Sequence, residues 1–365
     1  MQRRLPQARA GNGVDLRLDV DILSVATANP AYRVDQRAAW QRARVIFPHL
    51  VRMEALYTNT GIETRYACVP AEWCERPHSW EERTETYQRH ALDLLQQVAV
   101  AAVAEAGLHL TDVDFLVLNT ITGLAIPSLD AKLMNRLTFR PDVERLPIFG
   151  LGCGGGVAGV ARAARLAQAC PGATVLFLTV DLCSLCARPN DPSVAMFVAA
   201  ALFGDGAAAV VLRSRAPGGT RTARPARIVA AGEHCWRNTE HIMGWDVKAD
   251  GFGVVLSPQL PGLMQQELRP ALDAFLQRHD LELERFDGFL LHPGGRKILE
   301  TAESALGIDR ARLAHSWAVL RDYGNMSSVT AMFVLQRALR AGDRGRHLLA
   351  AFGPGFSAYF AALEL

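Results

Sequence analysis

Short apolar runs alternate along the chain with longer stretches in which apolar residues recur at helical spacing. Four runs are almost continuously apolar, as is typical of strands buried on both faces of a sheet: 113–119, 173–180, 286–292 and 346–352. Helical spacing covers residues 92–106, 160–168 and 263–279. This alternation predicts an α/β fold in which helices cover a sheet of buried parallel strands.

The elements repeat in the same order, which indicates an internal duplication. Cys153 is separated from Val175 by 22 residues, and the same spacing separates Asn325 from His347. If the repeat is real, Cys153 and Asn325 occupy equivalent turns between a strand and a helix. Any alternation of strands and helices resembles itself, so the spacing alone leaves coincidence open.

Cys153 lies in the glycine-rich segment 147–159 (PIFGLGCGGGVAG), where an apolar run ends and a helical pattern begins. A thiol at a helix N-terminus gains thiolate character from the helix dipole and the free backbone N–H groups. Neighbouring glycines allow a bulky acyl group to approach the sulfur closely. The alternative is a buried and inert cysteine, because a cysteine acts as a nucleophile only where a base accompanies it.

His292 and Asn325 are the candidate partners of this thiol. Ligands of such sheets gather outside the carboxyl ends of strands, so the three side chains are expected to face one site. His292 can pair with a thiolate and donate to a carbonyl oxygen, while Asn325 offers amide N–H groups to the same oxygen. Neither is a strong base, which suits the stabilisation of an enolate better than the activation of water. Taken singly, each also fits an ordinary loop or cap residue.

The composition is that of a globular protein. Of the 365 residues, 50% are hydrophobic and 21% are charged, and the net charge is +2, which gives no sign of a nucleic-acid surface. No apolar run approaches the roughly 18 residues of a membrane span, and the basic N-terminus lacks the apolar segment of a signal peptide. Seven cysteines, an odd number, fit reduced thiols. We therefore expect a cytoplasmic protein with no nucleic-acid partner.

Five motifs, in order and in register, resemble the type III polyketide synthases, the chalcone synthase-like branch of the thiolase superfamily: 150–153 (GLGC), 201–207 (ALFGDGA), 292–295 (HPGG), 323–328 (YGNMSS) and 352–356 (FGPGF). The resemblance covers about residues 20–365. It implies two thiolase-like βαβαβ halves that form a layered αβαβα core. The half at 20–225 would carry the nucleophilic cysteine, and the half at 226–365 would carry the histidine and the asparagine.

The resemblance also implies a reaction. Cys153 would take an acyl group from an acyl-CoA, and His292 and Asn325 would hold the thioester carbonyl of malonyl-CoA and stabilise the enolate that decarboxylation leaves. The carbanion would attack the acyl thioester, and repeated rounds would build a chain that cyclises in the same cavity. The substrates are coenzyme A thioesters, and the resemblance implies neither a metal nor a redox cofactor.

Further positions follow from the resemblance. The expected substrate cavity consists of Cys183, Cys186, Phe203, Trp245, Val254, Ile126 and Ser327. Phe203 matches the family's gatekeeper between the coenzyme A tunnel and the cavity, and Ile126 would reach into the partner's cavity in a homodimer. Asp181 stands at an acidic position that is Glu in the plant enzymes. Cys183 and Cys186 also have the spacing of a zinc or redox pair, but no second ligand pair has zinc spacing, so we expect no metal.

The starter and the coenzyme A site depend on the positions where the chain departs from the plant pattern. The plant enzymes have a small residue near Trp245 and an aromatic gatekeeper near Val254, and an apolar cavity of altered shape favours aliphatic acyl groups. The chain looks most like bacterial alkylresorcinol and alkylpyrone synthases, so a fatty acyl starter is expected. Arg65 and Lys297 are the candidates for binding coenzyme A.

Two other functions stay open at this point. A ketoacyl-ACP synthase III shares the Cys, His and Asn but performs a single condensation on an acyl carrier protein. A catalytically inactive member would bind acyl-CoA without condensing it. The glycine-rich loop at 352–356 and the run at 201–207 favour the polyketide synthase, and the intact Cys153, His292 and Asn325 argue against an inactive member.

Overall fold

The computed structural model describes residues 17–214 and 226–365. Its strands are β1 (Val20–Ala28), β2 (Tyr32–Asp35), β3 (Thr64–Ala67), β4 (Phe115–Thr120), β5 (Glu144–Phe149), β6 (Thr174–Leu182), β7 (Asp205–Ser214), β8 (Ala226–Cys235), β9 (Met243–Lys248), β10 (Gly251–Leu256), β11 (Gly288–Leu291), β12 (Arg346–Gly353) and β13 (Ser357–Glu364). Its helices are α1 (Gln36–Ile46), α2 (Ala55–Thr58), α3 (Ala71–Cys74), α4 (Trp80–Glu105), α5 (Leu129–Met134), α6 (Gly155–Ala169), α7 (Val194–Leu202), α8 (Leu260–Arg278), α9 (Arg296–Leu306), α10 (Ala314–Tyr323) and α11 (Thr330–Ala341).

Nine strands form one sheet in the order β11-β12-β13-β8-β1-β7-β6-β4-β5. Strands of the predicted second half occupy one side of this order and strands of the first half occupy the other. The two sets meet where β1 pairs with β8, with Val20 opposite Ile228. Two hairpins stand outside the main sheet, one formed by β2 and β3 and the other by β9 and β10.

Helices lie in three layers around these strands. The helices α6 and α11 contact strands of both halves, α4 covers the first half, and α8 covers β8 and β13 of the second half. The small side chains of α6, such as Ala158, Ala161 and Ala164, are buried against Val210 and Phe177 and allow this close approach. This arrangement confirms the expected αβαβα core.

The duplication is visible in matching pairs of parallel strands. In the first half β4 runs parallel to β6, with Phe115 opposite Val175, and in the second half β11 runs parallel to β12, with Gly288 opposite His347. In each half the chain leaves the first of these strands, passes through a 3₁₀ turn and a helix (α6 or α11), and returns on the second. The boundary predicted at residue 225 falls at the edge of the undescribed segment 215–225 and stays a prediction.

The four apolar runs of the sequence analysis form β4, β6, β11 and β12, and these pair in parallel as expected, β4 with β6 and β11 with β12. The sheet as a whole is mixed: β4 is also parallel to β5, and the other described pairs of the main sheet are antiparallel. The antiparallel strands β7 and β13 are also buried almost throughout, so an apolar run by itself indicates burial on both faces and leaves the strand direction open. Within residues 17–214 and 226–365 no helix is both long enough and apolar enough to cross a membrane.

Candidate active site

Cys153 lies in a single 3₁₀ turn, Gly152–Gly154, between the end of β5 and the start of α6. This is the strand, turn and helix that the sequence predicts. Gly152 has a φ of +50°, and a Cβ there would come within 2.4 Å of the Pro354 ring, so the turn requires glycine. Cys153 is only 7% exposed, and the turn therefore fixes the thiol in a buried position at the N-terminus of α6.

Asn325 lies in the corresponding turn of the second half, between α10 and the 3₁₀ turn that leads into α11. Its Nδ2 donates to the carbonyl oxygen of Gly294 at 3.0 Å, and its Oδ1 accepts from the backbone N–H of Ser327 at 2.8 Å. Ser327 has a φ of +52°, a conformation that is uncommon for a residue with a Cβ. These contacts fix the amide group of Asn325 from both sides.

His292 follows β11, and its imidazole is buried with no hydrogen-bond partner on either ring nitrogen. The residue is held through its backbone N–H, which donates to the carbonyl oxygen of Ala350 at 2.8 Å. Gly294, which binds the Asn325 side chain, lies beside the ring, because a Cβ on Gly294 would be 3.6 Å from Nε2. A buried polar group without a partner is costly, so the imidazole is free to bind a ligand that fills the site.

Ser327 connects Cys153 with Asn325. Its backbone N–H binds Asn325, and its side chain forms a hydrogen bond with Cys153 that favours the thiolate. Burial acts in the opposite direction and is larger, so the pKa of Cys153 is raised to about 12. Burial also lowers the pKa of His292 to about 3. Both groups are therefore uncharged at neutral pH.

The raised pKa of Cys153 opposes the thiolate character that its place at a helix N-terminus was expected to give it. A helix N-terminus favours an anion, but removal of the sulfur from water costs more than the dipole returns. Neither ring nitrogen of His292 has a hydrogen-bond partner, so a pair between His292 and the Cys153 thiolate stays a prediction. Formation of a thiolate thus depends on a base that takes the proton, and His292 is the unpartnered base of this site.

A buried polar network beneath the site joins the two halves of the chain. Asp181 accepts a hydrogen bond from the backbone N–H of Ile121 at 2.9 Å, and it accepts two from Ser328, at 3.0 Å from N–H and at 2.6 Å from Oγ. Asn119 donates from Nδ2 to the hydroxyls of Thr179 at 3.1 Å and Ser328 at 3.0 Å. The turn that carries Asn325 is therefore tied to strands of the first half.

Asp181 is a position expected from the sequence, whereas the roles of Asn119 and Ser328 in this network are seen only in the structure. The repeat contained a signal for Asn119, because it ends the first apolar run of its half as His292 does in the second half. Ser328 lies within a recognised motif, but only the fold shows that its hydroxyl faces a carboxylate.

An apolar cavity of about 150 Å³ adjoins this site, and five of the predicted cavity residues line it: Cys183, Cys186, Phe203, Trp245 and Val254. Phe203 links the cavity to the catalytic turn. The backbone on both sides of it binds Asn325, through the carbonyl oxygen of Leu202 and the N–H of Gly204, each at 2.9 Å. The rings of Phe203 and Trp245 lie 6.0 Å apart.

Most of the remaining cavity wall is apolar, and α1, α3 and α7 contribute part of it. Burial raises the pKa of the thiols of Cys183 and Cys186, so both present uncharged sulfur to the cavity. Among the residues with described positions, no cluster of His, Cys, Asp or Glu is suited to a metal ion. Most of the cavity wall can therefore contact a hydrocarbon chain, and the charged residues in the wall are Arg42, Arg65 and Glu75.

Two predicted cavity residues lie outside this wall. Ser327 belongs to the catalytic turn, where it contacts Cys153. Ile126 is 98% exposed on the loop before α5. Leu124, on the same loop, and Phe149, at the end of the edge strand β5, are also exposed. An exposed isoleucine on a protruding loop is compatible with the predicted contact with a partner's cavity.

Arg65 is placed differently from the prediction that it binds coenzyme A. Its side chain is buried, and Nη1 donates to the carbonyl oxygens of Ala200 at 2.8 Å and Phe203 at 2.7 Å. A guanidinium in this position supports the backbone behind the gatekeeper ring and is not presented to a phosphate in solvent. Its burial therefore argues against the predicted role.

Lys297 is exposed at the start of α9, beside an open cleft of about 400 Å³. Asn59, Arg296 and Glu300 form the rest of the cleft, and Arg296 Nε lies 2.7 Å from Glu300. The loop before α9 holds His292 and Gly294, so the cleft and the catalytic residues lie at the two ends of one short segment. This leaves Lys297 free to bind an anion near the site.

Two family models match the chain, one in each of its two halves. The family model for chalcone and stilbene synthases, N-terminal domain, matches residues 49–216, and the model for the C-terminal domain matches residues 227–360. The 1,3,6,8-tetrahydroxynaphthalene synthase of Streptomyces peucetius subsp. caesius is 38% identical over 315 residues, which are 86% of this chain and 83% of that protein.

Two further similarities cover nearly the whole chain. The α-pyrone synthesis polyketide synthase-like protein Pks18 of Mycobacterium tuberculosis (strain H37Rv) is 29% identical over 349 residues, 92% of this chain and 88% of that protein. The crystal structure of 1,3,6,8-tetrahydroxynaphthalene synthase from Streptomyces coelicolor A3(2), described as a bacterial type III polyketide synthase, matches with a TM-score of 0.89 and 31% identity. That match covers 94% of this chain and 99% of the other.

Proposed function

Because this chain belongs to the chalcone and stilbene synthase family and is a type III polyketide synthase, we propose that it extends an acyl group on Cys153 with malonyl-CoA. The enzyme is an acyltransferase that forms carbon–carbon bonds. We propose the catalytic residues, the starter and the product as follows.

The first step is acyl transfer to the thiol. His292 takes the proton of Cys153, the sulfur attacks the carbonyl carbon of an acyl-CoA, and the tetrahedral intermediate expels coenzyme A, which regains a proton. The position of Cys153 at the N-terminus of α6 supports this step, since the free N–H groups there can bind the oxyanion. The raised pKa of the thiol means that proton removal and attack are coupled.

The second step forms the new bond. Malonyl-CoA places its thioester carbonyl against His292 and Asn325, loss of CO₂ leaves an electron pair in the enolate, and its carbon attacks the acyl group on Cys153. The carbon–sulfur bond breaks and the thiolate is released for the next round. The uncharged state of His292 suits this role, because a neutral imidazole donates one hydrogen bond without protonating the enolate outright.

The observation that carries the proposal is the unpartnered, buried imidazole of His292 beside the fixed amide of Asn325. Both ring nitrogens lack a partner, whereas buried polar groups in proteins usually have at least one. A carbonyl oxygen at this point would satisfy the imidazole and lie within the same pocket as the amide of Asn325.

We propose a fatty acyl starter and an alkylpyrone or alkylresorcinol product. The support is the cavity, whose lining is mostly apolar and whose cysteines Cys183 and Cys186 are uncharged. Burial of hydrocarbon there contributes about 0.8 kcal/mol for each methylene. The Mycobacterium relative carries α-pyrone synthesis in its name, whereas the Streptomyces relatives are tetrahydroxynaphthalene synthases, so a starter without a long chain is the competing possibility.

We also propose a binding residue for coenzyme A and a contact with a second subunit. Lys297 would bind a phosphate of coenzyme A at the open cleft, because it is the one side chain of the predicted pair that solvent reaches. A homodimer would bury Ile126 together with the apolar residues near it, and exposed apolar groups of this size are typical of interfaces.

The decisive experiment is incubation of the purified enzyme with malonyl-CoA and acyl-CoAs of increasing chain length, followed by identification of the products by mass spectrometry. We expect cyclised polyketides from fatty acyl-CoAs, and none from the Cys153→Ala variant. Cys170→Ala is the matched control, since that cysteine is exposed and lies at the opposite end of α6 from Cys153.

Other outcomes would replace the proposal. Condensation only with malonyl-ACP would indicate a ketoacyl-ACP synthase III, and binding of acyl-CoA without any product would indicate an inactive member. Product from malonyl-CoA alone would contradict the fatty acyl starter while retaining the type III polyketide chemistry. A Cys153→Ala variant that still condenses acyl groups would refute the role of the thiol.

A further inference from the structure

The hairpin formed by β9 and β10 covers the acyl cavity without belonging to the main sheet. Its strands pair only with each other, with Val254 opposite Trp245. These two residues line the cavity, and β10 packs on α7 and on the 3₁₀ turn Cys183–Cys186. An isolated two-stranded hairpin is marginally stable, so its position depends on contacts with the rest of the chain.

Arg188 makes the principal polar contact with this hairpin. It donates to Asp250, in the turn between β9 and β10, from Nη2 at 2.7 Å and from Nε at 3.1 Å, and its Nη1 contacts Asp191 at 3.3 Å. The arginine side chain is 16% exposed and the Asp250 side chain 45% exposed, so the pair is partly shielded from water. A two-point contact between guanidinium and carboxylate fixes orientation as well as distance.

The hairpin also approaches two arginines through its glycines. A Cβ on Gly251 would lie 3.2 Å from Arg83 Cδ, and one on Gly253 would lie 3.1 Å from Arg188 Nη1. Beside them, the ring of Phe252 meets the indole of Trp80 edge to face at a centroid distance of 5.1 Å. These close contacts allow the hairpin to pack against Arg83, Arg188 and Trp80 in only one position.

We propose that the Arg188–Asp250 pair is a latch that positions the β9–β10 hairpin over the acyl cavity, so that Arg188 and Asp250 are specificity-determining positioning residues. Arg188 follows Cys186 by two residues, so the latch joins two walls of the same cavity. Neither residue of the pair lines the cavity itself. The proposal rests on the proposed function only for its effect on products.

The hairpin carries the aromatic side chains that limit the space for substrate. Trp245 lies 6.0 Å from Phe203 and 6.2 Å from Phe252, measured between ring centroids. Phe252 also closes a smaller cavity of about 10 Å³, whose wall includes Cys186. Displacement of the hairpin would move Trp245 away from Phe203 and join the two cavities through Cys186. Release of the latch should therefore admit longer chains.

The experiment compares Asp250→Asn with Asp246→Asn, which lies on the same hairpin and loses the same charge. Asp246 pairs only with Lys248, at 3.1 Å, and both side chains are about half exposed, so this control leaves the latch intact. Hydrogen–deuterium exchange of residues 243–256 is measured without substrate. The kcat/KM of long against short acyl-CoAs is measured with malonyl-CoA.

We expect Asp250→Asn to accelerate exchange of the hairpin by roughly fivefold, the factor that corresponds to about 1 kcal/mol. It should also raise the preference for long over short starters, while Asp246→Asn changes neither. Asp250→Glu, which retains the carboxylate, should restore part of the original preference. Arg188→Lys should resemble Asp250→Asn, because an ammonium cannot make the two-point contact.

Equal rates of hydrogen–deuterium exchange in residues 243–256 of Asp250→Asn and Asp246→Asn would contradict the proposal that the Arg188–Asp250 pair positions the hairpin. Faster exchange with an equal fractional loss of activity on every starter would overturn its role in specificity and leave a structural ion pair. If the wild-type enzyme forms no product from any acyl-CoA, the proposed function fails, and the exchange measurement still decides whether the latch exists.

Discussion

The carboxylate of Asp181, on β6, accepts two hydrogen bonds from Ser328, from the backbone N–H at 3.0 Å and from Oγ at 2.6 Å. One pair of residues thus joins the first half of the chain to the turn that holds Asn325. Burial dominates the electrostatics of this contact and raises the pKa of Asp181 to about 6, although Ser328 favours the ionised form.

Asp181 should make the enzyme less stable as pH rises from about 4 to about 6. The unfolded state ionises this carboxyl near its ordinary pKa while the folded state still holds the proton, so the free energy of unfolding falls in this window and is level above it. A shift of about two pKa units corresponds to at most about 3 kcal/mol. Urea unfolding of the wild type and of Asp181→Asn across this pH range measures the difference between their free energies of unfolding. Other titrating groups contribute equally to both proteins, so their contributions cancel in this difference. Asp273→Asn, on the surface of α8, should follow the wild type; a pH-independent difference for Asp181→Asn would contradict the prediction.

Cys153 should be alkylated slowly at neutral pH in the absence of substrate. Because burial raises the pKa of the thiol to about 12, its thiolate fraction should increase about tenfold for each pH unit between about pH 7 and about pH 9. Iodoacetamide labelling followed by peptide mass spectrometry measures the rate at this residue, and the exposed Cys170 calibrates the reagent in the same sample. A rate that is flat across this range would instead indicate a preformed ion pair with His292.

Replacement of Trp245 by alanine should shift the enzyme toward longer starters. The indole fills part of the acyl cavity, and each additional methylene that the enlarged cavity buries should increase kcat/KM by up to about fourfold, equivalent to about 0.8 kcal/mol. The acyl-CoA series with malonyl-CoA provides the measurement. Trp236→Ala is the control, since that indole binds Glu267 at 3.1 Å and does not line the cavity. If Trp245→Ala used acyl-CoAs of each chain length as the wild type does, the Trp245 side chain would not limit the space for the acyl group.

Lys297→Ala should raise KM for acyl-CoA and malonyl-CoA by roughly fivefold and leave kcat nearly unchanged. A contact with a phosphate far from the reacting carbonyl contributes equally to the ground state and the transition state, and one exposed charge contributes up to about 1 kcal/mol. The difference from wild type should shrink at high salt, which screens exposed charges. Lys132→Ala, on α5, is the control. A lower kcat with unchanged KM would exclude the binding role.

Ile126→Asp should weaken self-association. The side chain is 98% exposed in the single chain, and its burial in a symmetric dimer would occur twice, at about 1.5–3 kcal/mol each. We expect the dissociation constant measured by sedimentation velocity to rise by at least about a hundredfold. Val45→Asp, at another exposed apolar position, on α1, should leave association unchanged. A wild-type monomer at all concentrations would refute the dimer.

The local framework of the site could be predicted from short stretches of the chain. Continuous apolar runs and helical spacing predict the strands and helices around Cys153, because these patterns reflect burial that recurs within a few residues. The repeat then places Asn325 at the equivalent turn and His292 at the end of a strand. These are properties of neighbouring residues, and the structure has them where the pattern predicts them.

The protonation of these groups and the contacts of several other residues depend on the packing of distant segments. The pKa of Cys153 depends on how completely distant segments exclude water, which no spacing records. Arg65 supports the backbone at the end of α7, beside Phe203, because its guanidinium donates to carbonyl groups of residues far along the chain. The contact of Arg188 with Asp250 likewise joins residues 62 positions apart. Desolvation and long-range contacts arise only when the chain is packed, and they fix the charge, the cavity and the latch.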